Sequence, residues 1–167
     1  MRYQDEIKPV SVTEVFPRVQ DEQVGITSNP QEFALPFHDI DIRGGTLKDT
    51  RIHFQFRNPT NEALSVNISI PELSNSVGGP AYTKSYYVGP NENFRSPVED
   101  LSTYIVSSDQ GVLSLNYTAE TSSNPSVTLS NFSIDFSELN FSFLEGVFDE
   151  VVLPTTENLI DITFFDG

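Results

Sequence analysis

Apolar and polar residues alternate with a two-residue period along much of the chain, most clearly in Val127–Phe143. Successive side chains on a strand point to opposite faces, so each such run has one apolar face and one polar face. The parity of the apolar positions changes between Leu129 and Phe132 and again before Leu139. Such changes predict separate strands or a β-bulge rather than one regular strand. The pattern therefore predicts an all-β protein.

A second alternating run, Thr50–Arg57, is followed by Asn58-Pro59-Thr60-Asn61 and then by the run Leu64–Ile70. Asn and Pro favour turns, so these segments predict an antiparallel hairpin with a short loop. The pair Gly44–Gly45 predicts another turn upstream. In the first run the apolar residues are expected to face inward and the polar residues outward: Ile52, Phe54 and Phe56 against His53, Gln55 and Arg57.

Further strands are predicted at Tyr82–Val88, Thr103–Val106, Val112–Thr118 and Asn158–Phe165. The only helix start is Ser96-Pro97-Val98-Glu99, which has the residues of a capping box and room for one or two turns. Strands spaced by roughly 8–12 residues are typical of β-sandwiches. The predicted fold is an antiparallel β-sandwich, immunoglobulin-like in the loose sense, with at most one short helix.

The chain divides by composition into two parts. Residues 1–31 form a polar, proline-punctuated N-terminal extension, in which Val10–Phe16 is a candidate edge strand. Residues 32–167 form the predicted sandwich domain. The ending Phe164-Phe165-Asp166-Gly167 fits an intact protein as well as a piece truncated from a larger one.

Charge and cysteine content exclude several classes of function. The formal net charge is −15, so the chain should repel nucleic acid and anionic lipid but attract cations or basic partners. Cysteine is absent, which excludes disulfides, thiolate catalysis and Cys-ligated metals. No apolar run reaches the roughly 18 residues of a membrane helix, so direct membrane insertion is not expected. Met1–Pro9 lacks the apolar segment of a signal peptide.

Catalytic motifs are not recognisable. His38 and His53 are the only histidines, and no G-x-S-x-G nucleophile motif accompanies them. Carboxylates are numerous, but a glycosidase needs a pair across a cleft, and most of these acids read as solvated strand and turn residues. We therefore predict no catalytic residues and no enzyme activity.

Two sets of residues are candidates for ligand binding. Asp39, Asp41 and Asp49 flank the Gly44–Gly45 pair and could supply oxygen ligands to Ca²⁺, although the favoured expectation is that no cofactor is bound. Tyr82, Lys84 and Tyr86 share one strand face and could bind a sugar or a partner. The favoured interpretation of this stripe is a solvent-facing row of cross-strand pairs.

Several turn and strand motifs resemble uncharacterised exported proteins of the Bacteroidota, over roughly residues 40–167. The motifs are Ile42-Arg43-Gly44-Gly45-Thr46-Leu47, Phe56-Arg57-Asn58-Pro59, Val88-Gly89-Pro90-Asn91, Val98-Glu99-Asp100-Leu101-Ser102-Thr103-Tyr104 and Leu139-Asn140-Phe141 with Glu145-Gly146-Val147-Phe148. Those proteins look like chains of β-sandwich modules, frequently lipid-anchored in the outer membrane. The chain departs from them in lacking a signal peptide and an anchoring cysteine.

This resemblance implies a periplasmic or cell-surface location and a protein or glycan partner at the cell envelope. The favoured function is a non-catalytic module that serves as a spacer, adhesion or assembly element. The alternative is a carbohydrate-binding module that uses Tyr82 and Tyr86 as exposed tyrosines. A hydrolase of unknown type is the third hypothesis.

Overall fold

The computed structural model describes residues 19–37, 40–108 and 111–148. The described residues form strands joined by loops and contain no helix, and every strand pair is antiparallel. The strands are β1 (Val19–Ile26), β2 (Gln31–Ala34), β3 (Ile40–Arg57), β4 (Leu64–Ser74), β5 (Ala81–Val88), β6 (Asn93–Arg95), β7 (Glu99–Asp100), β8 (Ile105–Ser107), β9 (Val112–Glu120) and β10 (Ser130–Phe148). The prediction of an all-β, antiparallel fold is confirmed.

The strands form two layers that are joined at one end. In the first layer β10 lies between β1 and β3, and the short strands β6, β7 and β8 pair with successive parts of the other edge of β3. In the second layer the order is β5, β4, β9 and β2. Because β8 pairs with β4 as well as β3, the sandwich is nearly closed, like a barrel.

The core lies between the two layers and is built from the apolar positions of the alternating runs. Ile52 and Phe54 of β3 are fully buried, as are Val66 and Ile68 of β4. Aromatic rings make contacts across the layers: Phe33 with Phe136 at 6.5 Å and Tyr117 with Phe132 at 5.5 Å between centroids. A void of about 10 Å³ between the layers is too small to hold an ordered water. The inward parity predicted for β3 is confirmed.

The phenylalanine-rich segment is one long strand, β10, rather than several. Its pairing with β3 shifts register at several points, including the steps from Phe136 to Glu138 and from Phe141 to Phe143. Each shift changes which residues face the core, which explains the parity changes in the sequence. Of the two predicted alternatives, the bulge is the correct one.

The predicted turn at Gly44–Gly45 is wrong, because β3 runs straight through both residues. A Cβ atom on Gly45 would lie 2.6 Å from the carbonyl oxygen of Phe143 and 2.7 Å from the ring of Phe141. Glycine is required here because β10 approaches so closely that it leaves no room for a side chain.

The predicted hairpin between Thr50–Arg57 and Leu64–Ile70 is also wrong. β3 pairs with β10, β6, β7 and β8, whereas β4 pairs with β5, β8 and β9. The connecting loop instead crosses between the layers. The Asn58 side chain holds it there by donating hydrogen bonds to the carbonyl oxygens of Glu62 and Gly89, both at 2.8 Å.

The helix predicted to begin at Ser96 does not form. The Ser96 hydroxyl accepts a hydrogen bond from the backbone N–H of Phe54 at 2.9 Å, so it is not available to cap a helix. Glu99 lies in β7 opposite Ile52, and its carboxylate pairs with Lys84. Pairing with β3 therefore satisfies the groups that a capping box would have used.

The predicted N-terminal extension contributes a strand to the first layer. β1 begins at Val19 and pairs with β10 from Leu139 to Phe132. The candidate strand at Val10–Phe16 and the last predicted strand, Asn158–Phe165, lie outside the described residues.

Candidate functional site: the outer polar patch

Polar side chains gather on the outer face of the first layer, away from the core. The strand register aligns Gln23, Asp135 and His53 across β1, β10 and β3. One step along, it aligns Gly25, Ser133, Gln55 and Arg95 across β1, β10, β3 and β6. We define the outer polar patch as Gln23, His53, Gln55, Arg57, Asn93, Arg95, Ser133 and Asp135.

The Asp135 carboxylate is the centre of this patch and has a side-chain exposure of only 14%. The amide nitrogens of Gln23 and Gln55 donate to its two oxygens at 2.5 and 2.6 Å. The hydroxyl of Ser133 donates at 3.4 Å, and the His53 Nε2 lies at 3.3 Å. Hydrogen bonds to a charged acceptor are stronger than neutral ones, so this carboxylate fixes the orientation of the side chains around it.

His53 was expected to face solvent, and it does lie on the outer face, but it is only 6% exposed. Burial is the main cause that lowers the pKa of His53, the positive charge of Arg95 lowers it further, and Asp135 opposes both effects. The His53 Nε2 lies beside a carboxylate oxygen of Asp135 at 3.3 Å and the amide nitrogen of Gln55 at 3.4 Å, and these two neighbours favour opposite tautomers of the neutral ring. The buried Nδ1 has no hydrogen-bond partner among the described residues.

Ser133, His53 and Asp135 do not have the connectivity of a catalytic triad. In a triad the acid holds one imidazole nitrogen and the other nitrogen takes the proton of the serine. In this patch the serine hydroxyl donates to the acid, and no hydroxyl reaches the second imidazole nitrogen. The arrangement therefore orders the patch surface and does not place the imidazole of His53 on the hydroxyl of Ser133.

We expect stability to fall as the pH drops from about 6.5, because His53 takes up a proton less readily in the folded chain. At pH values between the lowered pKa of His53 and 6.5, the unfolded chain binds more protons than the folded chain. The stability present above pH 6.5 is therefore lost as the pH falls through this range. Urea unfolding from pH 7.5 to 5 measures it, and His53→Gln should remove the decline. The carboxylates of Glu62 and Asp100 act only below about pH 4.5, since their pKa values are lowered by hydrogen bonds. An unchanged decline in His53→Gln would contradict this assignment.

The tyrosine stripe of β5 faces the core, so the favoured expectation that it faces solvent is wrong. Tyr82 is 2% exposed, and the Tyr82 and Tyr86 rings both lie 6.3 Å from the ring of Phe54. Burial raises the pKa of Tyr86 to about 12 and raises that of Tyr82 further. Lys84 tolerates this inward face because its ammonium lies 2.6 Å from the carboxylate of Glu99.

The outward face of β5 carries Thr83, Ser85 and the exposed Tyr87. A ligand approaching from solvent therefore meets these residues rather than Tyr82. The structure does bring the three predicted residues to one face, together with Glu99, but Tyr82 is buried between the layers, whereas the side chain of Lys84 stays 39% exposed.

Only Asp49 of the three predicted calcium ligands has a described side chain, so the calcium site stays a prediction. Asp39 and the side chain of Asp41 lie outside the description, and Asp49 is an exposed residue of β3 with a φ of 49°. No group of three or more metal-ligating side chains occurs among the described residues.

We expect Ca²⁺ to stabilise this protein no more than an equal ionic strength of NaCl, because both screen its net charge of −15. Melting temperatures in millimolar CaCl₂ and in matched NaCl should therefore agree. A specific rise that Asp41→Asn abolishes would show that a calcium site exists.

A concave surface lies at the end of β3 away from the outer polar patch, with a volume of about 510 Å³. Its lining includes Arg43, Gly45, Val77, Ile105, Phe143 and Glu145. Val77 and Phe143 are 91% and 60% exposed. The depression is open, and its lining combines an arginine, a glutamate and several hydroxyl groups with aliphatic and aromatic side chains. Among the described residues, no helix has the length and apolar character that a membrane crossing requires.

Reading of the sequence missed the outer polar patch. The sequence does place His53 and Gln55 at alternate positions of one strand and Ser133 and Asp135 at alternate positions of another, which is the only local signal. Their meeting depends on the register between β3 and β10, which lie about eighty residues apart.

Comparison with protein-family models, curated proteins and solved structures finds no match to this chain.

Proposed function

We propose that this chain is a non-catalytic β-sandwich module of an exported bacterial envelope protein, and that it acts in adhesion or assembly through the outer polar patch. The observation that carries the proposal is the network around Asp135. In this network a carboxylate, an imidazole and a hydroxyl group hold side chains in place on one face of the sheet. Fixed side chains on a rigid sheet suit recognition, because little conformational entropy is lost when a partner binds.

Two further points support the proposal. The Ser133 hydroxyl donates to Asp135 and not to the imidazole of His53, so these three residues do not form the relay of a Ser-His-Asp triad. The envelope location rests on the resemblance of the turn and strand motifs to exported Bacteroidota proteins.

The non-catalytic part of the proposal is tested with chromogenic esters and glycosides as substrates. We expect no turnover above background for the wild-type chain. Turnover that is lost in Asp135→Asn or His53→Ala, and kept in the exposed control Asp49→Asn, would contradict the proposal and favour a hydrolase.

The location is tested in the native host with an epitope tag on the full reading frame. We expect the tagged protein in the envelope fraction, with loss of the tag when intact cells are treated with protease if it lies on the surface. Recovery of the tag in the cytoplasmic fraction would contradict the envelope assignment.

A further inference from the structure

Two neighbouring arginines of the outer polar patch have no ionic partner among the described residues, although the chain carries a net charge of −15. Arg57 and Arg95 are exposed, and neither forms an ion pair or a side-chain hydrogen bond with the described residues. A third arginine of this layer has acidic neighbours instead of neutral ones. Arg51, on the same strand, has Asp100 and Glu138 as its cross-strand partners.

The register places these two arginines side by side. Gln55 is opposite Arg95 and Arg57 is opposite Asn93, so the two arginines are diagonal neighbours on one face. Diagonal pairs in a sheet lie about 7–8 Å apart, within reach of one bound group for side chains as long as arginine. These four residues form a square on the sheet face, and its other two corners, Gln55 and Asn93, are neutral amides.

The carboxylates near this square already accept hydrogen bonds from other groups. Glu92 precedes Asn93, but its carboxylate accepts a hydrogen bond from the backbone N–H of Gly89 at 2.7 Å. Asp135 is enclosed by the side chains that donate to it. The two guanidinium groups of the square therefore form no ion pair with a carboxylate of the described residues, and they are complementary to an anionic group.

Two amides of the patch are held in a defined orientation: Gln55 lies opposite Arg95, and Gln23 lies on β1, with β10 between it and β3. Gln23 and Gln55 both direct the amide nitrogen toward Asp135. The oxygen of each amide then points away from the carboxylate and accepts no hydrogen bond from the described residues. On the β1 side the surface is open, because a Cβ atom on Gly25 would have no atom within 4 Å. Fixed acceptors beside paired guanidinium groups suit a ligand that carries hydroxyl groups and one carboxylate.

We propose that the outer polar patch binds an acidic sugar residue of a glycan, with its carboxylate on Arg57 and Arg95 and a hydroxyl group on the amide oxygen of Gln55. This inference rests on the proposed function, because it names the ligand of the same surface. A glycan is favoured over a protein partner because the patch contains no large apolar side chain to form the centre of a protein interface. An isolated carboxylate is favoured over a dense polyanion because the net charge of −15 repels the latter.

The test measures binding of trigalacturonate and trimannuronate by calorimetry and by shifts of backbone amide signals in NMR spectra. We expect one of the two probes to bind and its methyl ester to bind at least about tenfold more weakly, since the ester has lost the charge-assisted hydrogen bonds. Arg95→Gln and Arg57→Gln should each weaken binding to a similar degree. The matched control is Lys48→Gln, which removes the same charge from an exposed position of β3 and should leave binding unchanged.

Several results would overturn the inference. These are no binding of either probe, equal binding of the methyl esters, equal loss in Lys48→Gln, or tighter binding of an Asp/Glu hexapeptide than of the sugars. None of these results would alter the location or the absence of turnover, so failure of this inference and failure of the proposed function can be told apart.

Discussion

Replacing Phe54 by alanine should lower the free energy of unfolding by about 3–5 kcal/mol, the usual cost of removing a buried phenylalanine ring. Phe54 is fully buried, and its ring contacts those of Tyr82, Tyr86 and Phe132 at centroid distances of 6.3–6.4 Å. The substitution would leave a cavity between the two layers that rigid strands cannot close. Urea unfolding at neutral pH measures the loss.

The matched control is Phe143→Ala, which removes the same ring from a residue that is 60% exposed. We expect it to cost about 1 kcal/mol or less, because little apolar surface is uncovered. Similar losses in the two variants would show that Phe54 does not lie on the core-facing side of β3.

Replacing Gly45 by alanine should destabilise the fold by about 3 kcal/mol, near the upper end of the range for overpacking. The new methyl group would lie 2.6 Å from the backbone oxygen of Phe143 and 2.7 Å from the ring of Phe141. Since the first of these atoms belongs to the backbone of β10, the clash is relieved only by moving a strand. The measurement is again the unfolding free energy, with the melting temperature as a second readout.

Gly25→Ala is the control, because its methyl group would enter open space on a strand of the same layer. We expect a change within about 0.5 kcal/mol, or a small stabilisation from the lower entropy of the unfolded chain. If both variants lose the same stability, then glycine at position 45 is not required by the approach of β10.

Local features of this chain were predictable because they depend on neighbours in sequence. Alternation at Ile52, Phe54 and Phe56 identified a strand and its buried face. The parity changes in Val127–Phe143 marked the bulges of β10, although the sequence alone did not separate bulges from strand ends. Both inferences use only the rule that adjacent side chains point to opposite faces.

Predictions that depended on pairing were less successful. A glycine pair can mark a turn or a close approach, and only the position of Phe141 and Phe143 shows which applies at Gly45. A turn-like loop after Arg57 is equally compatible with a hairpin and with a crossing between layers. The energies that separate these choices come from residues distant in sequence, which no local pattern contains.

The candidate site shows the same division. The sequence by itself determined the residue types and their alternation, and hence the strands, the buried face of β3 and the strongly acidic charge. It could not determine that Tyr82 is buried, because Lys84 gives that face a polar appearance until Glu99 is placed beside it. Only the tertiary structure brought His53 and Asp135 together and placed Arg57 beside Arg95. Strand register decides these meetings, and register follows from packing over the whole sandwich rather than from any one segment.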